Sequence, residues 1–316
     1  MKPLCSIVIR AYNEERRLGR LLDGILQQTI KDVEVTLVDS GSTDNTLAVA
    51  GRYPLQVVHI RPEEFSFGRS LNRGIAASGA DLLVFASAHV YPIYPDWLER
   101  LLEPFDDARV ALTYGKQRGD DGTHFSERQI FASWFPDRPR PGLGYPFCNN
   151  ANAAIRRKLW EQHPYDETLP GLEDLAWARW AVEQGYRIQY VGDAEVVHVH
   201  RETPRAVYNR YRREGMAFKQ IYPQERFGLD DLARLFLVNI WNDWRAAARQ
   251  GVLGKHWRAV VWFRWMQFWG TFQGYRQSGP LTWQLKQAFY YPPGAQTEIS
   301  SPRRKVAPIL YHDEGD

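Results

Sequence analysis

At 316 residues the chain can bury a full core and hold one α/β domain plus an appendage. Two cysteines, Cys5 and Cys148, exclude a disulfide scaffold, and the lack of any C-x-x-C excludes a zinc knuckle, so a reducing cytosol is the expected compartment. The formal net charge of +3 singles out no class of partner, although its distribution does.

Residues 5–10 form an apolar run rich in β-branched side chains that breaks at Ala11-Tyr12-Asn13. It passes into residues 14–28, with apolar positions at Leu18, Leu21, Leu22, Ile25 and Leu26, which predicts a strand, a turn and an amphipathic helix. A second unit pairs a strand at 33–38 with a helix at 45–52 through Asp39-Ser40-Gly41-Ser42-Thr43-Asp44, whose last three residues can cap the helix. A strand at 55–60, a helix at 68–78 and a buried strand at 81–86 follow, the last running into Ser87-Ala88-His89. Such alternation predicts an α/β fold with a mostly parallel sheet flanked by helices, and ligands then bind beyond the carboxyl ends of the strands. Tyr12, Asp39 and His89 stand at such ends. Residues 115–149, rich in Gly and Pro, predict a mobile acceptor loop interrupted by a helix at 126–134.

Several side chains could carry chemistry. Asp39 could accept a hydrogen bond from a pyrimidine base or merely organise its own turn. Glu173 and Asp174 open a predicted helix after Pro170-Gly171; one could serve as a general base, or both could favour the helix dipole. The amides of Asn150 and Asn152 could meet sugar hydroxyls or make turns. His198 and His200, two apart on a strand, share a face.

Taken together, four segments resemble glycosyltransferase family 2 of the GT-A fold, a Rossmann-like architecture, over about residues 4–205. They are Ser6-Ile7-Val8-Ile9-Arg10-Ala11-Tyr12-Asn13-Glu14-Glu15, then Val38-Asp39-Ser40-Gly41-Ser42-Thr43-Asp44-Asn45-Thr46, then Asn72-Arg73-Gly74-Ile75-Ala76, then Glu173-Asp174. The combination is specific where no single piece would be. The resemblance implies a hexosyltransferase-type enzyme that moves a sugar, with inversion, from a nucleotide diphosphate to a hydroxyl of a glycan or lipid-linked acceptor. It puts Ala11, Tyr12, Glu14, Asp39 and Asn72 at the donor, Asp174 at the catalytic base and Glu173 beside it, near the acceptor. A non-catalytic nucleotide-sugar or glycan-binding subunit is the alternative.

The sequence departs from the family at two places. Where most relatives carry an Asp-x-Asp that binds Mg²⁺ or Mn²⁺ on the diphosphate, this chain has Ser87-Ala88-His89. A hydroxyl and an imidazole suit Mg²⁺ poorly and Mn²⁺ or a softer divalent ion better, so His89 could join His198 or His200 around a metal. Equally, no metal need be used, with arginines such as Arg201, Arg210, Arg212 or Arg213 meeting the diphosphate. Second, many relatives have Arg at the position of Leu71; here the nearby Arg69 could take over a donor contact.

Beyond residue 205 the chain changes character. Between Trp244 and Thr297 there is no Asp or Glu, but there are seven cations, Arg245, Arg249, Lys255, Arg258, Arg264, Arg276 and Lys286. Trp244, Trp257, Trp262, Trp265, Trp269 and Trp283 are interleaved with them. Residues 206–299 therefore read as a basic, Trp-rich helical extension in which Trp257, Val261, Arg264, Trp265 and Phe268 share a face. Such helices suit an anionic membrane surface, and packing against the catalytic domain is the alternative. No nucleic-acid motif accompanies the cations. No run reaches about 20 uninterrupted apolar residues and the first apolar stretch is too short for an export signal, which predicts a cytoplasmic protein peripheral to the inner membrane face. Residues 300–316 read as a polar, poorly ordered tail.

Overall fold

A computed structural model describes residues 2–137, 146–277 and 306–311. Its first half is the alternating unit the sequence predicts. Strands β1 (Cys5–Ala11), β2 (Val33–Asp39), β3 (Gln56–His59) and β4 (Leu82–Ser87) are parallel, connected through helices α1 (Leu18–Leu26), α2 (Thr46–Ala50) and α3 (Phe67–Ala76). The pleat sorts the core into two layers. Ile7 and Ile9 of β1 pack with Leu18 and Leu21 of α1, while Val8 between them packs with Leu71 and Ile75 of α3 on the other face.

The second half adds β5 (Val90–Pro92), α4 (Trp97–Leu102), β6 (Val110–Arg118), α5 (Phe125–Trp134), β7 (Asn152–Arg156), α6 (Arg157–Gln162), α7 (Glu173–Glu183) and β8 (Arg187–His198). The eight strands run in the order β3-β2-β1-β4-β7-β6-β8-β5, with β7 antiparallel to β4 and β6 and β5 antiparallel to β8. The sheet is thus mostly parallel, as expected, with two antiparallel strands in its second half.

Residues 115–118, read from the sequence as the start of a loop, continue β6 instead. Gly115 explains the misreading: it signals a turn, but here it allows close approach, since a Cβ would collide with the Ala194 carbonyl and the Asn152 amide. The register against β8 shifts at this point, between Gly115 and Gln117. Part of the proposed acceptor loop, including Pro139, Pro141, Gly142 and Gly144, lies outside the described residues.

Helices α8 (Pro204–Ile221), α9 (Leu229–Arg249) and α10 (Leu253–Arg276) follow. Thr203 caps α8, accepting the Ala206 N–H. Gly270 and Gly274 let α10 press onto the main chain of α8, where side chains would strike the carbonyls of Tyr208 and Arg212. The aromatic face read from the sequence divides. Phe263, Arg264 and Phe268 are buried, whereas Trp257 and Trp265 are 46% and 39% exposed. Arg264 is therefore no edge cation: its Nε and Nη2 grip Asp243 at 2.8 and 2.9 Å, one residue before the acid-free stretch begins. Phe125 of α5 joins Ile240, Ala247 and Val260 in one cluster, so the extension packs partly on the catalytic half. Gly279, Pro280, Trp283 and Lys286 lie outside the described residues. Of the expected tail, residues 306–311 are described and they are docked: Ile309 donates its N–H to the Ile93 carbonyl at 2.9 Å, and Val306 and Tyr311 pack against the cluster around Tyr91 and Ile93.

Candidate active site

Register places the strand ends together. Ala11 lies beside Asp39 and Arg10 beside Ser87, so the carboxyl ends of β1, β2 and β4 make one floor. The loops after β1 and β2 are stitched to each other. Thr43 donates its N–H to Asn13 Oδ1 at 2.8 Å, Glu14 donates to Thr46 Oγ1 at 2.7 Å, and Glu15 donates to Asp44 Oδ2 at 3.1 Å. Asn13 takes a left-handed conformation at φ 55° to make this turn. Tyr12 is half-buried there, and burial raises its phenol above its ordinary pKa. Asp39 is buried and accepts the N–H groups of Gly41 and Ser42 at 3.1 and 3.2 Å, so its turn-organising role is realised. His59 Nδ1 stands 3.6 Å from it.

Glu173 and Asp174 begin α7 after Leu172, which is left-handed at φ 55° and aims the first helical turn inward. Both are buried. Asp174 accepts the Asn150 N–H on Oδ2 at 2.9 Å and the Leu175 N–H on Oδ1 at 2.8 Å. Burial, and then the Glu173 charge, push the Asp174 carboxyl up to about 7. Glu173 is paired with Arg10 Nη1 at 3.0 Å. The Arg10 and Arg213 guanidiniums flank the Phe67 ring at 4.8 and 4.7 Å.

On the other side of Ser87, three histidines converge. β5 runs antiparallel to β8, with Val90 opposite His198, and the Val199 N–H reaches the His89 carbonyl at 3.0 Å. His89, His198 and His200 thereby offer nitrogens within 4.8 Å of one another. Each ring is held by Nδ1, His89 on Glu14, His198 on Gln117 and His200 on Glu127, all at 2.7 Å. His198 Nε2 is buried and makes no hydrogen bond among the described residues. Burial, helped by His200 and His89, holds the His198 pKa well below its ordinary value, so the ring is neutral. An orphaned buried imidazole nitrogen facing two others fits a divalent ion, which would satisfy it.

Some residues singled out by the sequence serve other ends. Asn72 uses its whole amide elsewhere: Nδ2 donates to the Tyr165 carbonyl and Glu167, and Oδ1 accepts from Trp160 and Tyr165. Arg69 is committed to Glu167 at 2.6 Å and to the Glu64 carbonyl at 2.9 Å. Both staple α3 to the segment before α7. Asn152 is buried, accepting from Trp97 and donating to the carbonyls of Lys116 and Ala194, which leaves it no path to a sugar. Asn150 positions the acidic pair instead of contacting acceptor. Glu14 orients His89; although burial opposes it, His89 and Arg17 keep its carboxyl below the ordinary range. Arg201 pairs with Asp120, Arg210 with Glu127 and Glu202, and Arg212 with Gln277, so each of the three has a partner inside the protein.

Sequence reasoning missed Arg10, Gln117 and Glu127. Arg10 carried a signal, a cation at the end of an otherwise apolar strand. Gln117 and Glu127 carried none, because their importance comes from partners about 80 and 73 positions away.

The profile of Glycosyl transferase family 2 matches residues 6–163, half of the chain. The O-antigen chain rhamnosyltransferase RfbN of Salmonella typhimurium is 27% identical over 219 residues, covering 65% of this chain and 69% of that protein. The O-antigen chain rhamnosyltransferase WbaN of Salmonella anatum is 28% identical over 223 residues, covering 66% and 70%. Among solved structures, the mannosyltransferase PcManGT from Pyrobaculum calidifontis, in complex with GDP-Man and Mn²⁺, has a TM-score of 0.57 at 20% identity, covering 87% of this chain and 85% of that one. That likeness shows the GT-A fold alone. Matched over half its length and folded accordingly, the chain belongs to glycosyl transferase family 2 and is a glycosyltransferase.

Proposed function

We propose that the protein transfers a sugar, with inversion, from a nucleotide diphosphate to a hydroxyl of a surface glycan or its lipid-linked precursor. The observation that carries this reading is the buried Asp174, whose basicity burial and Glu173 raise to about 7 at the mouth of the strand-end floor. Asp174 takes the acceptor hydroxyl proton. The hydroxyl oxygen bonds to the anomeric carbon while the bond to the diphosphate breaks on the opposite face. Tyr12 and Asp39 hold the nucleotide, and Arg10 keeps Glu173 from taking the proton in place of Asp174. A divalent ion would be held by His89, His198 and His200 and would offset charge on the diphosphate. The O-antigen relatives support a glycan acceptor, and the Mn²⁺ complex of PcManGT supports a cation.

The acceptor is met at a membrane surface in this reading. Leu237, Val238 and Trp241 of α9 are 64%, 50% and 65% exposed, and exposed Trp257 and Trp265 lie on α10. Arg245, Arg249, Lys255 and Arg258 are exposed in the same two helices. Among the described residues no helix is long and apolar enough to cross a membrane, so attachment would be peripheral, at the cytoplasmic face. The test of the transferase reading is a screen of nucleotide-sugar donors by nucleoside diphosphate release, repeated with Mn²⁺, Mg²⁺ and chelator. Release that requires an acceptor supports it; binding of donors without any release would make the chain a non-catalytic subunit.

A further inference from the structure

We infer that His89, His198 and His200 form a resident three-nitrogen centre for a borderline transition ion such as Zn²⁺, Co²⁺ or Mn²⁺, filled before the nucleotide arrives and closed to Mg²⁺. The proposal deepens the cation reading given above and rests on it for the centre's place at the diphosphate.

Three observations converge on it. First, the three rings share one hydrogen-bonding pattern. Each has its Nδ1 2.7 Å from a side-chain oxygen, on Glu14, Gln117 or Glu127, which fixes the Nδ1–H tautomer and leaves Nε2 as the nitrogen that keeps its lone pair. Metal-binding histidines are held in this way, and the outer partners tune affinity. Second, His198 Nε2 is buried with no hydrogen-bond partner among the described residues, a cost that an ion would remove. Third, the Phe131 ring lies 5.7 and 6.0 Å from those of His198 and His200, an apolar wall that keeps water from competing.

The donor set decides the ion. Three neutral nitrogens bind borderline metals well, whereas Mg²⁺ requires oxygen ligands and gives up water reluctantly. Three histidines with an open fourth position are a known arrangement for reactive zinc. Nitrogens around such an ion stand about 3.3 Å apart at ordinary bond lengths, and the three offered here lie within 4.8 Å of one another, so the rings, His89 and His198 stacked at 5.0 Å, would turn to close on it. The nearby carboxylates do not neutralise the ion's charge. Glu14 is shared with Arg17 at 3.2 Å and Glu127 with Arg210 at 2.6 Å, so the centre would present nearly its full double charge to an incoming anion. An ion held by protein nitrogens needs no nucleotide to complete its site, unlike one carried in on a diphosphate.

The test uses the untagged full chain, stripped with chelator and titrated with Co²⁺, Zn²⁺, Mn²⁺ and Mg²⁺ without nucleotide. Calorimetry gives stoichiometry, and the visible absorption of Co²⁺ reports its ligands. One Co²⁺ or Zn²⁺ per chain, with no uptake of millimolar Mg²⁺, is the expected result. His198→Ala should lower Co²⁺ affinity ~100-fold or more and erase the absorption band. Because His198 is buried, His89→Ala is the second variant, expected to behave alike, and Glu14→Gln should weaken uptake by ~10-fold to 100-fold. Mg²⁺ uptake equal to that of Co²⁺, uptake only with nucleotide present, or unchanged affinity in both histidine variants would overturn the centre. Ion uptake without sugar transfer upholds the centre and removes the transferase reading, whereas transfer by a chain that takes up no ion removes the centre alone.

Discussion

Asn150 donates its main-chain N–H to Asp174 Oδ2 at 2.9 Å, and the Leu175 N–H takes the other oxygen at 2.8 Å. Each carboxylate oxygen thus keeps a lone pair for an acceptor hydroxyl while the group as a whole cannot turn. Since both donors belong to the backbone, the orientation survives side-chain changes around it, and the carboxyl itself is what substitution should test.

Asp174→Asn should keep the fold and the affinity for donor while lowering kcat by ~10²-fold or more, the usual worth of a positioned base. Single-turnover kinetics and donor binding, measured side by side, check this. Near-normal turnover would remove Asp174 from the base position.

The same group sets a pH profile. With Asp174 raised to about 7 by burial and Glu173, kcat should climb with pH through neutrality and level off above it. Glu173→Gln removes a like charge and should move the midpoint to lower pH. Stability runs the other way. A carboxyl whose pKa is higher folded than unfolded binds its proton more tightly in the native state, so its contribution is complete below pH about 4 and is lost as pH rises through about 7. The native protein should accordingly melt higher at pH 5 than at pH 8, by a margin that Asp174→Asn, which carries no titrating carboxyl there, reduces in calorimetric scans.

If the proposed reading holds and His89 meets the phosphates rather than the base, His89→Ala should weaken binding of the nucleoside diphosphate more than that of the nucleoside. Calorimetric titration with both ligands decides it. Equal losses for the two would place His89 away from the phosphates.

Membrane attachment should follow both rings and charge. The protein should sediment with anionic vesicles in preference to neutral ones, each cation adding about 1 kcal/mol near the surface. Trp241→Ala combined with Arg245→Glu and Arg258→Glu should release it while transfer to a soluble acceptor persists. Indifference to vesicles of every composition would leave these side chains a protein contact.

Arg264 belongs to a different test. It is buried against Asp243, so Arg264→Ala should destabilise the chain by about 3–5 kcal/mol through the uncompensated carboxylate. Replacing both by apolar residues, Arg264→Met with Asp243→Leu, should recover much of the loss in chemical denaturation.

The first half of the fold was legible because local signals agreed: β-branched runs, the helical spacing of Leu18, Leu21, Leu22 and Ile25, and turn residues at each strand end. Asp39, His89 and the acidic pair stand at the carboxyl ends of strands or the start of a helix, positions that chain order alone assigns. Asn72 and Asn152 were open to two readings because an amide serves equally well as a ligand contact or a buried staple, and chain order does not show its partners. Asn72 spends four hydrogen bonds on Tyr165, Glu167 and Trp160. The aromatic face of α10 was half right for a similar reason: helical spacing groups Trp257 with Arg264, but Asp243 lies on another helix, where periodicity does not look.

Glu127 accepts His200 from the end of β8 and Arg210 from α8 with the same oxygen. A protein cut after residue 205 would keep the buried acid and the imidazole but lose the guanidinium that balances them. Helices borrowed from a relative would have to bring a cation to the same spot, or the graft would leave Glu127, far from the join in sequence, short of a cation. Chimeras that exchange whole C-terminal segments should therefore depend on what the incoming segment carries at the place of Arg210, as well as on the apolar contacts around Phe125.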